Sequence, residues 1–413
     1  MEEWKKIRLG DIVEVASGFS YKGEYIGSGR SILLGMGCVS FKEKFLMSGA
    51  RPYSGESPDR FHAQPGDIVL ATRQQSENLP ILGMPAILPD SLSGHDVIVG
   101  ANLYRIINNS EIENRFLYLQ LKTPHYLDYI NKCKTGTTVR MITKKNIEDY
   151  VFLCPPKEVR EKIVSMLWNI EDKIDLNKRI NHNLEEQAQA LYKSWFVDFE
   201  PFQGGEFIES ELGLIPKGWK VVCLDSLCSI ISRGFSPKYS ESTTDVVLGQ
   251  RCVRNNMIDL SVSKTHVPKN LGERALCQYD ILINSTGMGS LGRVAQIYFK
   301  PERMTYDSHL TLVRAKSSTL EMYLGRNLLS RQDEIENMAV GSTGQTELPR
   351  DSVKAMSILL PGDTVLDQFG ASIRAIAGRI QSNLEENVGL TSMRDYLLPK
   401  LMSGELKIDD FTC

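Results

Sequence analysis

The chain repeats its own sequence. Segments of the first half return in the same order in the second half, with an offset that falls from 215 residues (219 − 4) near the start to 206 residues (361 − 155) before the final helical stretch. The clearest pairs are Trp4-Lys5 with Trp219-Lys220, LGMGCV (34–39) with LGQRCV (248–253), and GDIVLAT (66–72) with YDILINS (279–285). Such a repeat predicts two similar domains related by an approximate twofold axis, because each copy must fold in a similar way. Duplex DNA is the main kind of target that suits such a pair.

Length and composition limit the class of protein. A chain of 413 residues with 42% hydrophobic and 24% charged residues suits a water-soluble protein of two domains, each of roughly 150 residues. No apolar run approaches the roughly 20 residues that span a bilayer, and MEEWKKIRLG lacks the apolar core of a signal peptide, so we expect a cytoplasmic protein. The net charge of −3 does not favour nucleic-acid binding. Much of the acid lies in the helical segments and the connector, however, which leaves the domains compatible with DNA.

Cysteine and histidine form no metal-binding pattern. The eight cysteines include no CxxC pair, and the six histidines form no HxH or HExxH group. In a reducing compartment the cysteines are expected to act as small apolar residues. Cys38 and Cys252 occupy the same position of the two copies, inside strand-like runs. We therefore expect no metal ion.

Each copy predicts a mixed α+β domain. Short runs rich in β-branched residues alternate with Gly and Pro over residues 1–155, together with a stretch of helical spacing at 115–132. Residues 217–361 repeat this order, with a helix near 319–337. The predicted strands are IVEVAS (12–17), DIVLAT (67–72), MPAILP (84–89), DVIVG (96–100) and LYRII (103–107) in the first copy, and DILIN (280–284), RVAQIYF (293–299) and HLTLVRA (309–315) in the second.

A seven-residue repeat follows each predicted domain. Five successive heptads carry mainly apolar residues at positions a and d, a pattern typical of a coiled coil. In the first copy these positions hold Leu167, Ile174, Asn181, Ala188 and Trp195 (a) and Ile163, Ile170, Asn177, Leu184 and Leu191 (d). In the second copy they hold Ile373, Ile380, Asn387, Arg394 and Leu401 (a) and Phe369, Ile376, Asn383, Leu390 and Leu397 (d). The alternative is one amphipathic helix per copy, packed on its own domain alone.

Four asparagines favour pairing of the two helices with each other. Asn177 and Asn181 lie at the middle of the first helix, and Asn383 and Asn387 at the middle of the second, where polar seam residues fix the register. Pairing centre to centre would bring these four into one layer. We expect antiparallel pairing, because parallel helices would crowd both domains at one end. A helix of about 40 residues is roughly 60 Å long and would hold two domains a set distance apart.

The sequence thus predicts six segments. They are a first domain at 1–155, a central helix at 156–197, a connector at 198–216, a second domain at 217–361, a second central helix at 362–404 and a C-terminal tail at 405–413.

Three phrases of the sequence resemble those of a known family. LYKSWFVDFEPF (191–202), SELGLIPKGW (210–219) and LLPKLMSGEL (397–406) are similar to the hallmark phrases of the DNA specificity subunit of Type I restriction–modification enzymes, and the two-copy layout extends the resemblance over the whole chain. The resemblance implies two α+β target-recognition domains, each reading one half of a split site in double-stranded DNA, and two central helices that form an antiparallel coiled coil.

The resemblance also implies partners and their cofactors. Two methyltransferase subunits, which bind S-adenosylmethionine, are expected to dock on the helices, and restriction subunits that use ATP and Mg²⁺ are expected to join the complex. Adenine N6 methylation and DNA cleavage would then belong to those partners. No cofactor is expected in this chain.

Loops at matching positions of the two copies are the candidate DNA contacts, because loops on a rigid scaffold commonly carry recognition. Arg can bind guanine, Asn or Gln can bind adenine, and Ser, Thr and Lys commonly bind phosphate. In the first copy the candidates are Ser20, Tyr21, Lys22, Arg73, Gln74, Gln75, Thr137, Thr138, Arg140 and Lys144. In the second copy they are Ser236, Lys238, Arg251, Arg254, Asn255, Asn256, Ser285, Thr286, Ser342, Thr343 and Gln345. For each residue alone, the alternative is an ordinary solvated loop side chain.

Differences between the copies predict an asymmetric target. Arg251 and Arg254 stand where the first copy has Gly37 and Ser40. The two domains should therefore read different sequences, and the whole site should be bipartite and not palindromic.

Catalytic interpretations have less support. GMGSLG (287–292) fits GxGxxG, but a dinucleotide loop requires a helix next, whereas RVAQIYF (293–299) alternates like a strand, so we expect tight-turn glycines. The sequence shows no GxxxxGK[ST] for ATP, no Asn/Asp-Pro-Pro-aromatic tetrad for adenine methylation and no evident nuclease centre. A non-catalytic DNA-binding subunit is the leading hypothesis. The alternatives are a coiled-coil scaffold whose end domains bind proteins instead of DNA, and a fusion that carries its own methyltransferase.

Overall fold

The computed structural model describes residues 4–74, 81–136, 139–341 and 346–408. The chain divides into two compact units. The first unit is Met1–Asp175 with Asn387–Cys413, and the second unit is Leu176–Glu386. None of the helices in the described ranges is both long and apolar enough to cross a membrane.

Two long helices run through both units. The first long helix is Lys157–Phe196, where the sequence predicted 156–197, and the second long helix is Asp363–Ser403, where it predicted 362–404. Each unit therefore contains one copy of the repeated domain and part of each long helix.

The first unit contains two four-stranded sheets. One is antiparallel, in the order Val13–Ser17, Leu103–Asn108, Ile68–Ala71, Pro85–Ile87. The other has the order Ala50–Tyr53, Ile26–Leu34, Val97–Val99, His62–Ala63, with its two middle strands parallel. Short ladders join Lys5–Arg8 to Val151–Cys154 and Arg73–Gln74 to Arg140–Met141. The shorter helices are Asn114–Leu121, Pro124–Cys133 and Lys144–Glu148.

The second unit repeats this plan. Its antiparallel sheet has the order Cys228–Arg233, Leu310–Ala315, Ile281–Asn284, Val294–Gln296. A second sheet has the order Lys264–Thr265, Val246–Leu248, Met304–Tyr306, with the last two parallel. Two-stranded ladders join Lys220–Cys223 to Ser357–Leu360, Phe207–Ser210 to Gly213–Pro216, and Val253–Arg254 to Met257–Ile258. The shorter helices are Ser318–Ser330, Gln332–Asn337 and Arg350–Lys354.

Each predicted strand overlaps an observed one, and the two predicted short helices are both divided. The stretch predicted at 115–132 is two helices because Pro124 starts the second of them, with the Thr123 hydroxyl accepting from the N–H of Tyr126 at 3.3 Å. Strand Ile26–Leu34 was not predicted, because the stretch GSGRS after its first residue is polar or glycine and largely exposed, and only ILL at its end is an apolar run.

The glycines of GMGSLG lie in turns, as predicted. Gly287, Gly289 and Gly292 all have positive φ, and strand Val294–Gln296 follows them where a dinucleotide loop would need a helix. The matched glycine of the first copy, Gly83, has φ of 69° against 82° for Gly292.

The matched cysteines lie in short 3₁₀ turns and not in strands, which corrects the prediction. Cys38 ends Met36–Cys38, and Cys252 ends Gln250–Cys252. The N–H of each cysteine donates to a carbonyl three residues earlier, that of Gly35 or of Gly249. Both side chains are buried, and burial raises the pKa of the Cys38 thiol to about 11.

The predicted seam positions face inward in both units. None of the twenty is exposed. In the first unit Ile163 and Leu167, near the start of the first long helix, share one core with Leu397 and Leu401, near the end of the second. In the second unit Ala188 shares a core with Phe369 and Ile373, near the start of the second long helix. In each unit the start of one long helix packs against the end of the other, so the pairing is antiparallel.

The long helices also pack on the domains, which combines the two alternatives weighed for them. In the first unit the ring of Trp168 meets the ring of Tyr118 edge to face, with centroids 5.8 Å apart. The seven-residue seam therefore forms one side of each helix, and contacts with the domain cover another.

The seam asparagines make specific hydrogen bonds. In the second unit, Asn383 Nδ2 donates to Asn181 Oδ1 at 2.7 Å, and Asn177 Nδ2 donates to Glu386 Oε2 at 2.8 Å. In the first unit, Asn387 Nδ2 donates to the carbonyl of Ile174 at 3.4 Å. Shifting either helix by one heptad would leave these buried amides unpaired, so the asparagines specify the register.

Candidate nucleic-acid interface

In the first unit, two of the predicted DNA loops lie side by side. Strand Arg73–Gln74, from one loop, pairs with strand Arg140–Met141, from the other. The N–H and the hydroxyl of Thr72 both donate to the carbonyl of Asn102, at 3.1 and 3.0 Å. Both loops therefore lie beside the turn at residues 100–102, which connects the two sheets.

The third predicted loop begins beside the same turn. The N–H of Gly18 donates to the carbonyl of Leu103 at 3.0 Å, and that of Phe19 donates to the carbonyl of Val99 at 2.7 Å. The loop at 20–22 follows directly. Three segments that are far apart in sequence thus meet around one turn.

The second unit brings two of the matching segments together in the same way. The N–H of Ser285 donates to the carbonyl of His309 at 2.9 Å, and the hydroxyl of Thr286 is hydrogen bonded to Nδ1 of His309 at 2.7 Å. Phe235 forms a parallel bridge with Asp307, as Phe19 does with Gly100. The loops thus converge on the turn that holds Asp307 and His309.

Close packing explains the glycine of the Gly-Phe-Ser that occurs in both copies. A Cβ atom on Gly18 would lie 2.1 Å from the carbonyl oxygen of Gly100, and one on Gly234 would lie 2.2 Å from that of Asp307. A Cβ on Gly249 would lie 2.7 Å from Oδ2 of Asp307. Only glycine permits these approaches.

The predicted DNA-binding residues of the first copy differ in exposure. The exposed side chains are Ser20, Lys22 and Arg73, the half-buried ones are Tyr21, Arg140 and Lys144, and the Gln74 side chain is buried. Gln75, Thr137 and Thr138 lie outside the described residues.

The candidates of the second copy also differ in exposure. The exposed side chains are Ser236, Lys238, Arg251, Arg254 and Asn255, and the half-buried ones are Asn256 and Thr286. Ser342, Thr343 and Gln345 lie outside the described residues.

Ser285 belongs to the core and not to a contact surface. It is 0% exposed, and its hydroxyl is hydrogen bonded to Oγ1 of Thr311 at 2.6 Å. Its position at the end of a fully buried strand, Ile281–Asn284, accounts for this difference from the prediction.

Asn255 and Asn256 have a structural explanation. They are the two central residues of a tight hairpin between Val253–Arg254 and Met257–Ile258, with φ of 50° and 62°. Asparagine is favoured at both central positions of such a turn because it tolerates positive φ. Oδ1 of Asn256 also accepts a hydrogen bond from Gln332 at 3.0 Å. The donor-rich pattern in the sequence therefore reflects turn chemistry in part.

The residues of the two turns on which the loops converge were not predicted from the sequence. Gly100, Ala101 and Asn102 of the first copy correspond to Asp307, Ser308 and His309 of the second, at an offset of 207 (307 − 100). Asp307 is 6% exposed, burial raises the pKa of its carboxyl, and Oδ1 accepts from the N–H of His309 at 2.9 Å. Aligning the strands on both sides would have found these turns, whose residues differ between the copies.

Within the described part of the chain, no group of three His, Cys, Asp or Glu side chains is arranged to hold a metal ion.

A family model matches the first copy, and known proteins match both copies. Residues 1–186 match the family model of the Type I restriction modification DNA specificity domain. The chain is 24% identical to the Type I restriction enzyme MjaIX specificity subunit of Methanocaldococcus jannaschii, over 99% of this chain and 95% of the relative. It is also 24% identical to the HindI specificity subunit of Haemophilus influenzae, over 98% of this chain and all (100%) of the relative.

A solved structure shares the fold. The S subunit of a Type I restriction–modification system from M. genitalium aligns with a TM-score of 0.58 and 15% identity, covering 97% of this chain and 96% of that one. The family model matches the first copy, and the relatives span both copies, so the chain is similar to Type I restriction enzyme specificity subunits over its whole length.

Proposed function

We propose that this chain is the sequence-specific DNA-binding subunit of a Type I restriction–modification complex and that it reads an asymmetric, bipartite site. The supporting observation is that matching loops converge on the same turn in each unit while the side chains there differ. The first unit has Arg73 and Asn102 at positions where the second has Thr286 and His309. Equivalent geometry with unlike hydrogen-bonding groups suits a protein that reads two different half-sites.

Exposed cations near these loops support contact with the DNA backbone. Lys22 and Arg73 lie in the first unit, and Lys238, Arg251 and Arg254 lie in the second. Contacts of this kind position a protein on the duplex without reading its sequence.

Exposed apolar residues on the second long helix support a partner subunit. Val388, Met393 and Tyr396 are 69%, 53% and 59% exposed on a helix whose other side is covered. Two methyltransferase subunits are the proposed partners, with S-adenosylmethionine bound in them, and restriction subunits would bring ATP and Mg²⁺. This chain would be non-catalytic, with adenine methylation and DNA cleavage in the partners. A scaffold that binds only proteins is not favoured, because the relatives are named specificity subunits of Type I restriction enzymes and the matching family model describes a DNA specificity domain.

The dependence of DNA affinity on salt tests the proposal. The chain is combined with its methyltransferase, and the affinity for a duplex is measured between about 50 and 200 mM salt. Neutralising 6–10 phosphates would lower affinity by roughly 10³- to 10⁵-fold over this range. Replacing Lys238 with alanine should reduce the slope of log affinity against log salt by about 1. Weak affinity that is flat across salt would exclude DNA as the target.

The site itself can be mapped in a host that carries this chain and its methyltransferase. Long-read sequencing of the methylated genome should show two unlike half-sites separated by a fixed spacer. A palindromic site would contradict the asymmetry.

A further inference from the structure

We propose that Asn102 and His309 are specificity-determining residues and that each binds the edge of a purine base in the major groove of its own half-site. We call the turns 100–102 and 307–309 the reading turns. This inference rests on the proposed function and names the groups that would read the bases.

The reading turn of the second unit is fixed on several sides. The N–H of Asp307 donates to the carbonyl of Leu248 at 2.9 Å, and Arg233 Nη1 donates to the carbonyl of Ser308 at 3.4 Å. The N–H of His309 is held by the Asp307 carboxylate at 2.9 Å. A group that discriminates between bases needs this kind of support, because a loosely held side chain adapts to the wrong base.

The orientation of the His309 ring is also set. The side chain is exposed, and Nδ1 is hydrogen bonded to the Thr286 hydroxyl at 2.7 Å, so Nε2 is the ring nitrogen left for a ligand. When the hydroxyl donates to Nδ1, the ring hydrogen is on Nε2, which then acts as a donor. Purines offer N7, and guanine also O6, as acceptors in the major groove. A donor at Nε2 therefore matches a base with a major-groove acceptor, and N7 is the acceptor that both purines present, so we assign a purine opposite His309.

Asn102 has the corresponding position in the first unit. Its carbonyl accepts two hydrogen bonds from Thr72, at 3.1 and 3.0 Å, which fixes its backbone, and its side chain is half-buried beside the exposed Arg73. An asparagine carboxamide can bind N6 and N7 of adenine together. The first unit would accordingly select adenine at this position.

Other candidates in the second unit have competing roles. The hairpin conformation accounts for Asn255 and Asn256, and burial removes Ser285. His309, in contrast, is polar, exposed and rigidly mounted at the point where the loops converge.

Exchanging the two reading residues tests the inference in the full chain bound to its methyltransferase. Affinity is measured for duplexes in which each base pair of the mapped site is varied in turn. His309→Asn should lose roughly 5-fold to 150-fold of the discrimination at one position of the second half-site, shift that position toward adenine and leave the first half-site unchanged. Asn102→His should produce the mirror result in the first half-site.

His95→Asn is the matched control. It makes the same chemical exchange at an exposed histidine that precedes strand Val97–Val99, at the opposite end of that strand from the reading turn. Both half-sites should be read as before. Thr286→Val is a second test, because it keeps the imidazole but removes the hydroxyl that orients it, and it should weaken discrimination at the same position by a smaller factor.

The outcomes separate the two proposals. If the wild type prefers its mapped site while both His309→Asn and Thr286→Val retain full discrimination at every position, His309 is not a reading residue, although the chain still binds DNA specifically. If the wild type shows no preference for either half-site, the proposed function fails and this inference fails with it.

Discussion

Equivalent layers of the helix seam differ sharply between the two units. In the first unit, Glu171 and Arg394 form an ion pair at 3.1 Å, and the two residues are 3% and 8% exposed. The offset of 206 places Ala377 (171 + 206) and Ala188 (394 − 206) in the corresponding layer of the second unit, where they are 2% and 0% exposed. The same backbone arrangement therefore accommodates a buried charge pair in one copy and two methyl groups in the other.

Each unit compensates in its own way. Arg394 also contacts Asp395 at 2.7 Å, so the guanidinium has two carboxylate partners. In the second unit, Ala377 shares an apolar core with Tyr298 and Ile380, so apolar packing takes the place of the ion pair. The heptad pattern thus specifies where the helices meet, but each layer depends on its own neighbours for its chemistry. Glu171 on the first long helix requires the arginine at position 394 of the second. Alanine at position 394 would leave the buried Glu171 charge unpaired.

The largest effect is expected from breaking the ion pair. Arg394→Ala leaves the buried Glu171 carboxylate without its partner, so the free energy of unfolding of the first unit should fall by about 3–5 kcal/mol. Trp168, in the core of this unit, provides a fluorescence signal for urea unfolding.

The double variant Glu171→Ala with Arg394→Ala recreates the alanine layer of the second unit and should be more stable than Arg394→Ala alone. Arg379→Ala, at an exposed position of the same helix, is the control and should change stability by less than about 0.5 kcal/mol. An equal loss of unfolding free energy in Arg394→Ala and in the double variant would show that the unpaired Glu171 carboxylate does not destabilise the first unit.

Matched glycine substitutions should affect one unit at a time. Gly18→Ala and Gly234→Ala place a Cβ atom 2.1 and 2.2 Å from backbone oxygens, so each should destabilise its own unit by about 1–3 kcal/mol and displace its reading turn. Recognition of one half-site should weaken while that of the other stays intact, as measured with half-site variants.

Gly23→Ala is the control, because a Cβ atom there meets nothing within 4 Å. Equal effects of Gly18→Ala on both half-sites would argue against one domain per half-site.

A smaller effect is expected from the seam amides. Asn383→Ala removes the donor to Asn181, and the free energy of unfolding should fall by roughly 1–2 kcal/mol, since Asn181 keeps its contact with the carbonyl of Ile380 at 3.4 Å. Chemical denaturation of the second unit measures this change. A gain in stability would indicate that the amides serve register alone.

The smallest difference concerns the matched cysteines. Burial raises the pKa of the thiols of Cys38 and Cys252, and since only the thiolate reacts with iodoacetamide, both should be labelled slowly at pH 8. The exposed Cys223 and Cys277 should be labelled first, as followed by mass spectrometry. Rapid labelling of Cys252 but not Cys38 would show that the second unit opens more readily.

The repeated fold was well predicted from the sequence. Heptads and apolar runs are local patterns, and the repeat is found by comparing the two halves of the chain. The heptads located both long helices to within a residue or two, and buried strands such as Ile68–Ala71 are continuous apolar runs. The ion pair of Glu171 with Arg394 was not predicted, because a seam pattern gives positions and not partners across 223 residues.

The site was only partly predictable. The convergence of loops depends on long-range pairing of strands such as Arg73–Gln74 with Arg140–Met141, and Asn102 and His309 lie in turns without a motif of their own. Asn255 and Asn256 show the opposite error, since their chemistry suggested recognition where backbone conformation was the stronger requirement.

The division of the chain has a consequence for its synthesis on the ribosome. The second unit is one continuous stretch, Leu176–Glu386, whereas the first needs both Met1–Asp175 and Asn387–Cys413. Residues 1–175 are translated first, but the core of the first unit is complete only after the final stretch of the second long helix has been synthesised. Until then Ile163 and Leu167 lack the leucines that cover them, so nascent chains stalled before residue 387 should be aggregation-prone and should recruit chaperones.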